Sequence, residues 1–458
     1  MIENDAFKLL LINLFHLNPD DIANIFCTTF NKMMVLLVTL ADKHQACPYC
    51  GFTAPKIKEY VTKEITHSAL TTQKCIIKYR ARRYKCPCCG KTYYEFNPFV
   101  FKSQKISILT VHNILKDLKD FNETFTSVAR RYHVSPTSVS TIFDNHVDIG
   151  RNPLPEIINF DEVYAFKSEK SKYVCVLLDF KKQIPVDVLP NRKKEYLLNY
   201  FQKIPLEERK KVKYACSDMY EVYRDVVHKV FPCSCMLLDY FHLSQDFHRK
   251  MNEVRIKVMK GYKDNKASDE YYLLKKFNWL LFKNPEDEDK YGRLFDVERE
   301  RKYNSHFKSY MNYYDLRKKL LEINNDLTIC YSLKLELVDF YSKSTIDNAK
   351  VNLENLIRSC IDTNIDEMIA FSNNLINWKQ EIINSFTIVG TEYKVEADKG
   401  QVVVCNKKVN NAIIENRNKI IKCIKNNANG YTNWSRFRNR VMYVLDPNTT
   451  FSLEPREK

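Results

Sequence analysis

Apolar positions change their spacing sharply near residue 157. From Ile157 to Phe166 they crowd together and read as a strand. Tyr173 to Phe180 and Ile184 to Leu189 read the same way, and the links between these runs are short. Three strands so joined predict an antiparallel meander. Lys193 to Lys203 then has helical spacing, followed by a short strand from Val212 to Cys216 and a helix from Met219. Cys235 to Leu238 is one more short strand with a helix after it.

A meander followed by alternating helix and strand is the order of a ribonuclease-H-like α/β core. The flanks differ. Residues 1 to 45 read as partly helical, with an apolar run from Met33 to Leu40. Residues 105 to 147 carry helical spacing broken by one sharp turn, and Pro153 and Pro155 mark a boundary. Residues 245 to 385 are long, charged and periodic, with almost no Gly or Pro, and read as a helical insertion. Ile388 to Val404 reads as a small hairpin or a loop, and 409 to 426 as a helix carrying Glu415.

Composition narrows the partners. The chain has 458 residues, too many for one ordinary domain, and 45% are hydrophobic, enough to build cores. Its formal charge is +16, from 72 Lys and Arg against 56 Asp and Glu. Such a surplus favours a polyanion, although a Lys-rich proteome accounts for it equally well. The apolar run at 33 to 41 is too short to span a membrane and follows Asp20 and Asp21, unlike a cleaved signal. The expectation is a cytoplasmic protein without a membrane partner. In that reducing setting, 15 cysteines point to metal binding before disulfides.

Cys47-Pro48-Tyr49-Cys50-Gly51 is matched by Cys86-Pro87-Cys88-Cys89-Gly90. Two C-x-x-C turns, each closed by Gly, are what a tetrahedral structural zinc needs, so Cys47, Cys50, Cys86 and Cys89 are the expected ligands, with Cys88 to spare. Between them, Thr72 to Lys85 holds no acid but contains Lys74, Lys78, Arg80, Arg82, Arg83 and Lys85. Such a strand suits phosphate contact, or is a solvated edge that resists aggregation.

Phe125 to Phe143 fits a helix-turn-helix. Val128 and Ala129 would pack the first helix, Ser135 would cap the second and Pro136 would open it. Val139 and Ile142 would face inward, leaving Thr137, Ser138 and Thr141 for a DNA groove. An ordinary helical hairpin is the competing reading.

Asp161 lies within the first predicted core strand and Asp218 follows the strand Val212 to Cys216; in the proposed fold these strands are neighbours. Buried acids are costly unless a cation neutralises them, and hard Mg²⁺ (or Mn²⁺) takes oxygen ligands. A pair of such ions can clamp both reacting oxygens of a phosphodiester. From Lys407 to Arg440 there are nine Lys and Arg and one acid, Glu415, which either completes the set or pairs with Lys419. Lys419, Lys422 and Arg438 in this basic stretch are further candidates for DNA contact.

These motifs together resemble the transposases of the ISL-three type of bacterial insertion sequence, within the DDE superfamily. The resemblance rests on the duplicated C-P-x-C-G, the helix-turn-helix, Phe160-Asp161-Glu162, Leu189-Pro190-Asn191-Arg192 and Ser217-Asp218-Met219-Tyr220. It continues through Asp239-Tyr240-Phe241-His242, Trp378, Ile383-Asn384-Ser385-Phe386, Glu415, Asn418, Ala428 to Trp434 and Phe437-Arg438-Asn439-Arg440. It implies catalytic acids at Asp161, Asp218 and Glu415, two magnesium ions, double-stranded DNA as partner and a homodimer on paired ends. Where the family tends to have S-N-G before the Glu and Gly after it, this chain has Asn410-Asn411-Ala412 and Asn416.

The resulting division is an N-terminal helical segment (1–45), a zinc ribbon (46–100) and a helix-turn-helix domain (101–152). The catalytic core follows in two parts (153–244 and 401–458) around a helical insertion (245–400). The expected function is binding of terminal inverted repeats with DNA cleavage and strand transfer. A DNA-binding regulator without catalysis shares every feature except the need for three acids, and a nuclease that cuts without joining is a third reading.

Overall fold

The computed structural model describes residues 2–43, 45–101, 104–166, 171–395 and 402–456. It is a mixed α/β, multidomain protein, as expected. The central sheet has five strands in the order Cys235–Leu238, Tyr214–Ser217, Ile157–Val163, Val174–Asp179, Pro185–Leu189. The last three form the antiparallel meander, while the first two run parallel to Ile157–Val163.

Strand alternation decides what each face holds. Ile158 and Phe160 join a core with Phe201 and Tyr223 from the helices Lys194–Gln202 and Glu221–Val230, and with Phe231 just after the second. Val163 joins the opposite core, with Ile414 and Ile421 of the Ala412–Asn427 helix and Phe437 and Val441 of the Trp434–Leu445 helix. Asp161 shares the face of Val163, so the strand aims it at the helix that carries Glu415.

The insertion is largely helical, around Leu243, Phe247, Leu337, Leu353 and Phe371. It also holds two small hairpins, Glu288–Asp289 with Gly292–Arg293 and Lys302–Asn304 with Ser309–Met311. The boundary expected at 244/245 falls inside one continuous helix, Tyr240–Lys260, which runs from the core sheet into the insertion. No Gly or Pro interrupts that stretch, so nothing local ends the helix there. Ile388–Val395 and Val402–Lys408 pair as an antiparallel hairpin. The middle of the Ile388 to Val404 expectation, residues 396–401, lies outside the described residues.

The N-terminus corrects a further expectation. Residues 1–45 are not a separate helical segment: only Ile2–Leu14 is a long helix there, and Ile22–Phe30 pairs with Met33–Leu40 as a hairpin. Asn31 and Lys32 at its turn both take positive φ, the backbone a two-residue hairpin turn requires. Met33–Leu40 then pairs in parallel with Cys75–Lys85, Leu36 opposite Ile77, so the sheet crosses the expected boundary at 45/46. The apolar run at 33–40 was therefore a strand shared with the Cys-rich segment.

Three helices, Ile108–Asp117, Phe125–Arg131 and Pro136–His146, pack around Val111, Leu115, Val128, Ala129, Val139 and Phe143. Ser135 caps the third by accepting from the Ser138 amide, with Pro136 in its first turn. His133 takes a φ of 54° in the turn before it.

Candidate catalytic and metal sites

Acids gather where the parallel strands of the central sheet end. Asp161 lies in Ile157–Val163, Asp218 directly follows Tyr214–Ser217, and Asp239 directly follows Cys235–Leu238. Carboxyl ends of adjacent parallel strands are where α/β sheets hold their reactive groups. Asp239 opens the Tyr240–Lys260 helix, so His242 sits in its first turn. The Ala412–Asn427 helix supplies Glu415 and Asn418, three residues apart and hence on one face.

His242 is the meeting point. Its Nε2 is 3.8 Å from Asp239 Oδ2 and 3.9 Å from Glu415 Oε1. Ligand atoms of Asp239, His242 and Glu415 all lie within 4.8 Å of one another. Asp161 is fixed separately: Oδ1 accepts the Glu162 amide at 2.7 Å, and Oδ2 accepts the Asn418 side-chain amide at 2.7 Å. Glu415 thus faces His242 rather than Lys419.

Burial pushes the Asp161 carboxyl up to about 7, and the Asp218 charge adds to the effect, while the Glu162 amide and His242 oppose it. Asp218 is also raised, first by burial and then by Glu162. Asp239 is raised by burial, with Glu415 contributing. Three neighbouring acids held reluctant to ionise are in the electrostatic condition that a bound cation relieves. Asp218 Oδ1, Glu162 Oε2, His242 Nε2 and Asn418 Oδ1 are all buried without a hydrogen-bond partner. Buried polar atoms are rarely left so, and a donor set dominated by carboxylate oxygens fits a hard divalent ion.

Three features of the site were not singled out as functional by the sequence reading. Asn159 donates to Asn410 O at 2.8 Å and to Asn411 Oδ1 at 2.7 Å, docking the start of the Glu415 helix on the first strand. The Asn411 backbone amide also bonds the Asp239 carboxylate. Arg192 pairs with Glu162 and lies over the rings of Tyr173 and Tyr220, 4.5 and 4.8 Å from their centres. Only the Leu189 to Arg192 motif and the run of Asn before Ala412 hinted at them.

A second cluster stands in the N-terminal sheet. Cys47 and Cys89 sulfurs are 3.7 Å apart, Cys50 and Cys86 sulfurs 3.5 Å, and all four lie within 4.8 Å of one another. A tetrahedral zinc–thiolate centre with bonds of ~2.3 Å has sulfurs roughly 3.8 Å apart. The two turns repeat one hydrogen-bond pattern: the Gly51 amide donates to Cys47 O and the Gly90 amide to Cys86 O, each at 2.9 Å. Both Gly take positive φ, 75° and 72°, which is why Gly closes each turn. Cys88 is exposed and outside the cluster.

The residues expected to meet DNA divide. Thr137 and Thr141 are exposed on the Pro136–His146 helix, and Ser138 is half-buried with its hydroxyl 2.8 Å from Ser135. Arg80, Lys419 and Lys422 are exposed. Arg83 is paired with Glu59 at 2.7 Å. Two placements need correction. Arg82 binds Glu95 at 2.8 Å and the Leu40 carbonyl at 3.2 Å, and Arg438 binds Asp187 at 2.6 Å and the Ile149 carbonyl at 2.6 Å. Both guanidiniums are spent on buried carboxylates, Glu95 and Asp187 being 8% and 3% exposed, and hold the fold together instead of offering free charge.

No helix among the described residues is long and apolar enough to cross a membrane. A family model for transposases, of the DDE type named for ISL3, matches residues 158–397, just over half of the chain. That span takes in Asp161, Asp218, Asp239 and His242 and stops short of Glu415. The transposase for insertion sequence element IS1001 of Bordetella parapertussis is 19% identical over 408 residues, covering 89% of this chain and 90% of that protein.

Proposed function

This chain belongs to the ISL3 family of DDE transposases, and we propose that it binds the terminal inverted repeats of its own insertion sequence, cuts there and joins the freed end to target DNA. The observation that carries this reading is the convergence of buried acids with unpartnered oxygens at the strand ends. Asp161, Asp218 and Glu415 would hold two Mg²⁺ (or Mn²⁺) ions on a core of ribonuclease-H-like strand order. When bound, such ions acidify the attacking water or hydroxyl and neutralise charge on the leaving oxygen.

In cleavage, a water oxygen bonds to phosphorus as the bond to the 3′ oxygen breaks, leaving a 3′-hydroxyl and a 5′-phosphate. In joining, that 3′-hydroxyl attacks a target phosphodiester and displaces another 3′ oxygen. Side chains supply position. Asn418 holds Asp161 by Oδ2, so its carboxylate plane is set before DNA arrives. His242 presents Nε2 beside Glu415, where it can hold a proton against a phosphate oxygen. The Glu162–Arg192 pair keeps a cation at the rim of an otherwise acidic cleft.

Zinc on Cys47, Cys50, Cys86 and Cys89 would be structural, since four thiolates leave no open position. The three-helix unit would be the helix-turn-helix that reads the ends, through Thr137, Ser138 and Thr141, with Arg80, Arg83, Lys419 and Lys422 meeting phosphates. The chain would act as a homodimer on paired ends. The decisive experiment incubates the protein with duplexes carrying the DNA that flanks its gene, with Mg²⁺, and resolves nicked and joined strands on a gel. Nicks without joined products would make it a nuclease; binding with neither product would make it a regulator.

A further inference from the structure

Beside the carboxylates lies a cavity of about 620 Å³ whose lining includes Asp218 and His242. One face of the Tyr240–Lys260 helix forms its wall: His242, Gln245, Arg249 and Asn252 recur at intervals of three and four residues. The insertion adds Phe282, whose ring meets that of His248 edge-on at 5.4 Å.

The arginine in this wall is neutralised. Arg249 is paired with Asp246 and, at 2.9 Å, with Glu253, and Asp246 also accepts the Asn374 amide at 2.8 Å. No surplus positive charge is left to hold another phosphate. Beyond Asp218, Met219 and His242, the lining offers the rings of Phe282 and His248 and two amides, Gln245 and Asn252. The Asn252 oxygen is taken by Arg255 at 2.8 Å, which leaves its NH₂ to donate. Flat apolar faces beside amide groups are the chemistry that receives a nucleobase, and the cavity is ample for one.

The aromatic wall is also held in place. Lys334 is 1% exposed and donates to the Lys283 carbonyl at 2.5 Å and the Leu281 carbonyl at 3.3 Å, so the backbone on both sides of Phe282 is pinned. A base leaving its duplex loses stacking and pairing, and a preformed platform offsets that cost.

We propose that this cavity takes an unstacked nucleobase next to the scissile phosphate, with Phe282 as the stacking face and His248, edge-on to it, beside the base. The proposal rests on the phosphodiester-cutting reading of Asp161 and Asp218. It is tested with duplexes of the DNA flanking this gene, carrying 2-aminopurine in turn at each position around the element end. With Ca²⁺ in place of Mg²⁺, fluorescence should rise several-fold at one position on binding wild-type protein, and stay at the duplex level with Phe282→Ala and with Gln245→Ala. Cleavage by Phe282→Ala should fall about tenfold or more, and recover on a duplex mismatched at that position. Gln245 is exposed, so its variant guards against a folding defect in the other. Cleavage by wild type with no fluorescent position, or an equal rise in the variants, overturns the cavity's role alone. A rise that the variants abolish, without cleavage, upholds the cavity and overturns the cutting reading.

Discussion

The side-chain amide of Asn418 donates to Asp161 Oδ2 at 2.7 Å, across 257 residues of chain. One bond therefore ties the last core helix to the first core strand and sets the orientation of an acid proposed to hold metal. Asn418→Ala should raise the Mg²⁺ concentration needed for cleavage by about tenfold or more, while leaving end binding unchanged. A metal titration of cleavage rate reads this directly; an unchanged requirement would make Asn418 a packing residue.

Alanine at Asp161, Asp218 or Glu415 should lower cleavage and joining by about a hundredfold or more, with end binding and zinc content retained. Glu415 needs comparison with Asp239, because both stand within 4 Å of His242. If Asp239→Ala were inactive and Glu415→Ala were not, Asp239 would be the third ligand.

Asp161 makes stability depend on pH. Its carboxyl titrates near 7 in the folded chain, against about 4 in an unfolded one. Between those values the folded state binds more protons, so stability falls as pH rises from about 4 to about 7, and the loss persists above. A divalent ion offsets this penalty only where the acid is ionised. Mg²⁺ should therefore raise the melting temperature more at pH 8 than at pH 5. Asp161→Asn should melt higher than wild type at pH 8 without Mg²⁺, and gain less from adding it. Equal Mg²⁺ effects at both pH values would refute the assignment.

One zinc per chain is expected from elemental analysis of the purified protein. Cys47→Ser and Cys86→Ser should lose it and melt lower, whereas Cys88→Ser, outside the cluster, should keep it. Zinc retained in both ligand variants would break the four-sulfur assignment.

Arg80 and Arg82 are two residues apart and should behave oppositely. Arg80→Ala should weaken DNA binding and reduce its salt slope by about one. Arg82→Ala leaves the buried Glu95 carboxylate without its cation, holding only the backbone amide of residue 82, and should cost about 3 kcal/mol of stability, read by denaturant melts. A lost salt slope in Arg82→Ala with unchanged stability would return Arg82 to the phosphate-binding set.

Much here is local and could be read from the chain alone. Each Cys turn closes on its own Gly, and Ser135 with Pro136 starts a helix because cap geometry involves only the next three residues. The order of core strands and helices follows from spacing and short links. Pairing across long separations is another matter. Met33–Leu40 is apolar enough for helix or strand, and its pairing with Ile22–Phe30 on one side and Cys75–Lys85 on the other made it a strand. Arg82 and Arg438 look like free charges until Glu95 and Asp187 arrive from elsewhere in the chain. The acids show the same division. Asp161 and Asp218 stand out because one lies within a predicted strand and the other just after one, and Glu415 because it is a lone acid among bases. Their common surroundings of His242, Asn418 and partnerless oxygens exist only because the sheet closes around an insertion, and burial that raises a carboxyl to about 7 is a property of the packed core.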